Sequence, residues 1–399
     1  MSQNIDLVIK SEFVDSYKDG YPLLSKESIL NLDKLKTQGQ ILNLVDAKKK
    51  FIAQAYFGIQ NKGYGWLLSL REDEKIDSSF FLYKFNEALK YREKFYADKS
   101  TTAFRMFNAE GDGIGGLSID CFDGFYLITW YSEGIYTFKS EILKALKLSL
   151  NYKGIYEKKR FDTKGTYLDD ADDFVCGVKA SEPLIVKEND VNFAIYLDEG
   201  AMVGVFLDQR EVRKTLRDKY AKGKTVLNTF SYTGAFSVFA ALGGAKKTIS
   251  VDLAKRSLPK TKEQFSINDI DVSMQDIIVE DVFNYFKYAL RKKLLFDLVV
   301  LDPPSFARSK KHTFSASKDY VKLLKEAIQI TSKNGVIVAS TNASNFSMMT
   351  FRGFIDKAFK ELKGRFKVQE SFSLPQDFRV NPKFKEGNYL KVVFIKKLT

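Results

Sequence analysis

Apolar and polar positions follow three successive patterns along the chain. Up to about residue 75 the apolar residues fall in short runs, at 6–10, 40–45, 51–57 and 65–70, separated by turn residues. This predicts a strand-rich segment. From 76 to 188 strand and helix patterns alternate. Helical spacing runs over 80–97, and a Gly/Asp-rich turn at 108–116 is followed by a predicted hairpin of 117–120 and 126–130. The glycines of that turn lie between two strands, whereas a phosphate-binding glycine loop follows a strand and opens a helix. The turn is therefore read as structural. Near 190, Val191, Phe193, Ile195 and Leu197 alternate, and Val203, Val205 and Leu207 repeat the pattern beyond Asp198-Glu199-Gly200. A β-hairpin over 189–208 with one buried face is expected. Beyond 223 apolar runs at 225–227, 248–251, 273–277, 297–301, 335–340, 367–372 and 390–395 predict strands, with helical segments between the first six. That alternation predicts an α/β fold with a mostly parallel sheet, which binds ligands beyond the C-terminal strand ends.

Composition narrows the class. The chain has 399 residues and a formal net charge of +13, which favours a polyanionic partner. Two cysteines, Cys121 and Cys176, and one histidine, His312, leave too few ligands for a Cys/His metal site or a disulfide framework. No apolar run approaches the roughly 20 residues that span a bilayer, and the start lacks a signal-peptide pattern. A cytoplasmic protein with neither metal nor membrane contact is expected.

The candidate chemistry lies at the strand ends. Asn228-Thr229-Phe230-Ser231-Tyr232-Thr233-Gly234 leads from the first strand of the α/β region into a helix. One glycine there suits a ligand less anionic than a diphosphate. Asp252 ends the second strand, about 20 residues on, where a carboxylate accepts from ribose hydroxyls or caps a helix beginning near Ala254. Asp281 has the same two readings, with an adenine amino group as the ligand. The fourth strand ends in Asp302-Pro303-Pro304-Ser305-Phe306-Ala307-Arg308-Ser309-Lys310-Lys311. Two prolines stiffen this loop and remove two N–H donors. An acid, rigid carbonyls and a ring suit a flat hydrogen-bonding base, and Arg308, Lys310 and Lys311 suit an RNA backbone. Lys48, Lys49 and Lys50 form a second basic cluster, either phosphate contacts or a solvated turn.

Asn-x-Phe-Ser-Tyr-Thr-Gly-x-Phe-Ser at 228–237, Val251-Asp252 and Asp-Pro-Pro-Ser-Phe-Ala-Arg-Ser-Lys at 302–310 resemble the class I S-adenosylmethionine-dependent ribosomal RNA methyltransferases, in the group around large-subunit methyltransferase I. Gly204-Val205-Phe206-Leu207-Asp208-Gln209-Arg210 and residues 107–117 extend the resemblance over nearly the whole chain. It implies a PUA-like RNA-binding β-barrel at 1–75, a central α+β domain at 76–188 and a Rossmann-like methyltransferase domain at 189–399. It also implies that Gln209, Arg210, Phe230, Tyr232, Thr233, Gly234, Asp252, Asp281 and Asp302 bind S-adenosylmethionine. Asp302, Pro303 and Phe306 would handle a base of large-subunit (23S) rRNA, and a homodimer is allowed.

Two departures bear on the target atom. Family members that methylate cytosine C5 use a thiolate, because C5 is not nucleophilic until the ring is attacked covalently. The corresponding segment here reads Ala339-Ser340-Thr341-Asn342-Ala343-Ser344-Asn345, without cysteine. Asp377-Phe378-Arg379 stands where relatives often have Asp-His-Pro. A ring or exocyclic nitrogen, guanine N7 or an amino nitrogen, needs no covalent catalyst and fits the missing thiol, while the sequence leaves the target atom open. The rival reading is a non-catalytic RNA-binding ribosome assembly factor that keeps the cofactor pocket. A dinucleotide-dependent dehydrogenase is a weaker reading, since the glycine-rich diphosphate turn is missing.

Overall fold

The computed structural model describes residues 4–60, 63–161, 173–200, 202–308 and 313–399. Internal contacts divide the chain into two compact units. One comprises Met1–Val186, Ile195–Val203 and Gln376–Gly387; the other comprises Lys187–Ala194, Gly204–Pro375 and Asn388–Thr399.

The first unit holds two five-stranded sheets. In the N-terminal sheet Ile5–Val8 runs parallel to Ile41–Val45, which pairs antiparallel with Phe51–Gln60 and, through it, Gly63–Ser69. Leu7, Leu24, Leu42, Leu44, Ala53 and Ala55 close its core. A helix at Ser11–Lys18, not anticipated from the sequence, lays Val14 and Tyr17 on that core. The second sheet contains the expected hairpin, Leu117–Phe122 with Phe125–Trp130. The predicted helix over 80–97 forms as Ser78–Tyr91 and Glu93–Ala97, broken at Arg92. The Arg92 side chain is fully buried. Its guanidinium bonds both carboxylate oxygens of Asp112, at 3.1 and 2.7 Å, and its Nε donates to the Asp377 carbonyl at 2.9 Å. Segment Gln376–Gly387 thus docks in this unit although the strands on either side of it belong to the other. Asp377 accepts from the Arg105 backbone, Phe378 lies under the Arg105 guanidinium, and the Arg379 carbonyl accepts from Asn108.

The hairpin expected over 189–208 does not form as predicted. Val191–Ile195 pairs with Leu184–Glu188, and residues 203–207 are not a strand. Leu184, Val186 and Glu188 are buried in alternation and supply the partner. Gly204, at φ +135°, breaks the extended path that the apolar spacing suggested.

In the second unit seven strands form one sheet: β1 Thr225–Thr229, β2 Lys247–Asp252, β3 Asp276–Val279, β4 Phe296–Leu301, β5 Thr331–Thr341, β6 Phe366–Phe372 and β7 Lys391–Lys397. Their spatial order is β3-β2-β1-β4-β5-β7-β6. The first five are parallel, and β7 is antiparallel to both β5 and β6. Helices α1 Arg210–Thr215, α2 Ala235–Leu242, α3 Ser257–Ser266, α4 Val282–Arg291, α5 Ala316–Ile330 and α6 Met348–Glu361 accompany them. Apolar residues of α4, α5 and α6 cover one face of the sheet, and those of α1 and α2 the other. β1 and β4, buried on both sides, read as near-continuous apolar runs for that reason. The strand order reverses between β1 and β4, and the crevice at such a reversal is where open α/β sheets take ligands.

Candidate active site at the carboxyl ends of β1, β2 and β4

The turn after β1 is held in unusual backbone geometry. Phe230 and Tyr232 adopt φ of +54° and +52°, and Gly234 adopts +79°. Non-glycine residues in the left-handed region store strain, which concentrates at functional sites. A Cβ on Gly234 would stand 2.5 Å from the Thr261 methyl on α3, so only glycine lets these segments approach. Thr233 Oγ1 donates to the Gly204 carbonyl at 2.7 Å. Asp252, at the end of β2, accepts from the Tyr232 amide at 2.8 Å and the Ala254 amide at 2.9 Å. It does not cap α3, which begins at Ser257. Asp281 does cap its helix: Oδ1 accepts from the Phe283 and Asn284 amides. Its other oxygen has no hydrogen-bond partner among the described residues.

Asp302 follows β4. Gln209 Nε2 donates to Asp302 Oδ1 at 3.0 Å and to Ser340 Oγ, at the end of β5, at 2.7 Å. Tyr320 Oη donates to the Ser340 carbonyl at 2.8 Å. Burial pushes the Asp302 carboxyl up to about 6; the Ser340 hydroxyl pulls it down, the nearby Asp208 charge pushes it further up, and Arg213 and Gln209 also lower it. The same burial, with the Asp302 charge beside it, carries the Tyr320 phenol well above its ordinary range. Pro303 is buried, Pro304 is exposed, and the Phe306 ring is 63% exposed. Two further ties fix the loops after β4 and β5. Ser305 Oγ donates to Asn342, and the buried ammonium of Lys391 donates to the Ala343 and Tyr389 carbonyls at 2.9 and 2.8 Å.

The sequence-predicted residues thus fall into two groups. Phe230, Tyr232, Thr233, Gly234 and Asp252 meet at the β1–β2 end, and Gln209 meets Asp302 at the β4–β5 end. Arg210 is buried, with Glu211 beside it at 3.4 Å. Lys48, Lys49 and Lys50 are exposed on a turn of the other unit, ordered by Asp46 Oδ1, which accepts from the Lys48 and Lys50 amides. Lys310 and Lys311 lie outside the described residues, as does the Arg308 side chain. Sequence reasoning missed Ser340, Tyr320 and Lys391. Ser340 and Lys391 sit at strand ends of the same crevice, which was a usable signal; Tyr320 lies in the second turn of α5, on its buried face, and gave none.

S-adenosylmethionine fits this donor set. The Gln209 Oε1 atom is buried without a partner, an acceptor awaiting a donor such as the ammonium of an amino acid. Asp252 and Asp281 keep lone pairs for ribose hydroxyls and an adenine amino group. The turn after β1 has one glycine and no phosphate cradle, which suits a nucleoside without a diphosphate.

Comparison with known proteins identifies the family. A family model described as S-adenosylmethionine-dependent methyltransferase matches residues 114–358, and a PUA-like domain model matches 7–70. The chain is 56% identical over 393 residues, 98% of its length and 99% of the relative's, to a Bacillus subtilis (strain 168) protein provisionally described as ribosomal RNA large subunit methyltransferase YwbD. It is 28% identical, over 96% of each chain, to ribosomal RNA large subunit methyltransferase I of Pseudoalteromonas translucida (strain TAC 125). The crystal structure of the methyltransferase SMU.776 (also provisionally assigned), solved with S-adenosylhomocysteine, superposes with a TM-score of 0.91 at 41% identity, covering 98% of this chain and 100% of that one. The family match over more than half of the chain and the whole-length relative establish the family: the chain belongs to the S-adenosylmethionine-dependent methyltransferases and carries a PUA-like domain at its N-terminal end.

Proposed function

We propose that the protein methylates a base of large-subunit (23S) ribosomal RNA, at a nitrogen atom. The single observation carrying this reading is the Asp302 carboxylate, held by Gln209 beside stiff Pro303-Pro304 and an exposed Phe306 ring. The cofactor supplies an electrophilic methyl group on a sulfonium. This chain's share is to bind and orient. Asp302 and the Pro303 carbonyl accept hydrogen bonds from the base edge, and Phe306 stacks on the base. Orientation of this kind contributes several kcal/mol of barrier reduction, up to roughly 7–11. The target base is splayed from a loop or flipped out of its helix to reach the pocket.

The absent thiol supports nitrogen over cytosine C5. Thr341 and Ser344 are hydroxyls, far less ionised than a thiol. Cys121 and Cys176 lie in the other unit, and burial pushes the Cys121 thiol up to about 12. Guanine N7 and an amino nitrogen both fit, and for an amino nitrogen the ionised Asp302 is also placed to take the released proton. RNA contacts are assigned to Lys48, Lys49, Lys50, Arg308, Lys310 and Lys311. Working limits of 1–75, 76–188 and 189–399 for the RNA-binding, central and methyltransferase domains follow from the same reading, as do a cytoplasmic location and a homodimer to be checked by light scattering.

The test is incubation with labelled S-adenosylmethionine and ribosomal RNA from a strain lacking the gene, with modified nucleotides mapped by mass spectrometry. Label at one nucleotide is expected. Tight cofactor binding without any incorporation would move the assignment to a non-catalytic ribosome assembly factor.

A further inference from the structure

Phe206 is an exposed aromatic residue in the cofactor-binding unit for which no core role accounts. Its ring is 43% exposed, yet its backbone is held fast. Arg213 Nη2 donates to the Phe206 carbonyl at 2.6 Å, and the same guanidinium makes a bidentate pair with Glu188 at 2.7 and 2.7 Å, with both partners buried. The ring leans on Tyr232, with centroids 5.4 Å apart and planes inclined by 53°. Tyr232 is itself fixed through its amide to Asp252. One side of Phe206 is therefore buttressed while the other faces solvent.

Its place along the chain matters as much. Phe206 is three residues before Gln209, whose amide reaches Asp302, so the two positions are joined by at most about 11 Å of chain and one hydrogen bond. Phe306 stands four residues beyond Asp302. The Arg213–Glu188 pair fixes the backbone that carries the ring, and Tyr232 fixes the ring's inner side, so its outer face is a rigid flat apolar surface. Rigid rings of this kind take unpaired nucleotides by stacking.

We propose that Phe206 is a second stacking surface of the active site, taking an unpaired RNA base next to the one that reacts, with Tyr232 as its buttress. The proposal rests on RNA being the substrate. Stacking needs a π-face and no particular hydrogen-bond edge, so this residue contributes affinity for an unpaired flanking nucleotide more than choice of the target base.

The experiment compares wild type, Phe206→Ala and Phe206→Trp in steady-state methylation of ribosomal RNA, with S-adenosylmethionine affinity measured by calorimetry. Phe206→Ala is expected to raise KM for RNA roughly 5- to 100-fold, with cofactor affinity unchanged and Phe206→Trp close to wild type. An unchanged RNA KM in Phe206→Ala overturns the proposal. So does a parallel loss of cofactor affinity, which would place the ring in the cofactor pocket, and so does a fall in kcat alone. Failure of the RNA reading itself shows separately, as absence of methylation by the wild type.

Discussion

Replacing Asp302 by asparagine should make the protein more stable and inactive together. The carboxyl's ordinary value of 3.8 rises to about 6 in the folded chain, chiefly through burial. Below 3.8 both folded and unfolded chains hold the proton. Between 3.8 and 6 only the unfolded chain releases it, so folding stability falls as pH rises through that window and stays lower above it. At about 1.4 kcal/mol per pH unit the ceiling of this loss is roughly 3 kcal/mol. Part of the residue's surface remains open to solvent, which screens the charge and brings the figure down. Asp302→Asn keeps a carbonyl for the Gln209 amide and carries no charge. Its melting temperature should exceed that of wild type by several degrees at pH 8, at about 2–4 °C per kcal/mol for a unit of this size. The gain should vanish near pH 4. Scanning calorimetry of both proteins across pH 4–8 reads the difference, and methyl incorporation reads the loss of function. In the wild type, kcat/KM should fall as pH drops through about 6, where the carboxylate takes up its proton. A variant that melts below wild type at pH 8, or that turns over at the wild-type rate, refutes the reasoning.

Three further outcomes are expected. Gly234→Ala forces a left-handed residue and a methyl overlap with Thr261; it should lower stability by ~1–2 kcal/mol and weaken cofactor binding, and calorimetric affinity equal to wild type would count against the assigned pocket. Asp112→Ala leaves the Arg92 guanidinium buried without its partner, which should cost about 3–5 kcal/mol in denaturant unfolding; a loss under 1 kcal/mol would contradict it. Cys121→Ser with Cys176→Ser should keep methyl transfer, and its complete loss in a folded double variant would bring back a thiol mechanism.

Much of the second unit was legible because its central strands are buried on both faces. β1, β2 and β4 read as apolar runs, and the residues at their carboxyl ends (Thr229, Asp252, and Asp302 just after β4) mark the crevice. What failed has physical reasons. The Ser11–Lys18 helix buries only Val14 and Tyr17, too sparse a stripe to declare a helix. Val203, Val205 and Leu207 are buried with the spacing of a strand, but Gly204 sends the backbone elsewhere, and the true partner at 184–188 carries a buried acid, Glu188. That acid pairs with Arg213, and periodicity cannot announce a salt bridge formed across 25 residues. The bond from Gln209 to Asp302 spans 93 residues, so the resemblance could nominate both residues without showing that they touch.

Between β6 and β7 the polypeptide leaves one unit, supplies Gln376–Gly387 to the other, and returns for its last strand. During synthesis, Arg92 must therefore wait for Asp377, nearly three hundred residues downstream, before its guanidinium has its full set of acceptors. Neither unit has all of its chain until residues beyond 375 are made, and cutting the gene at any single point yields two incomplete pieces.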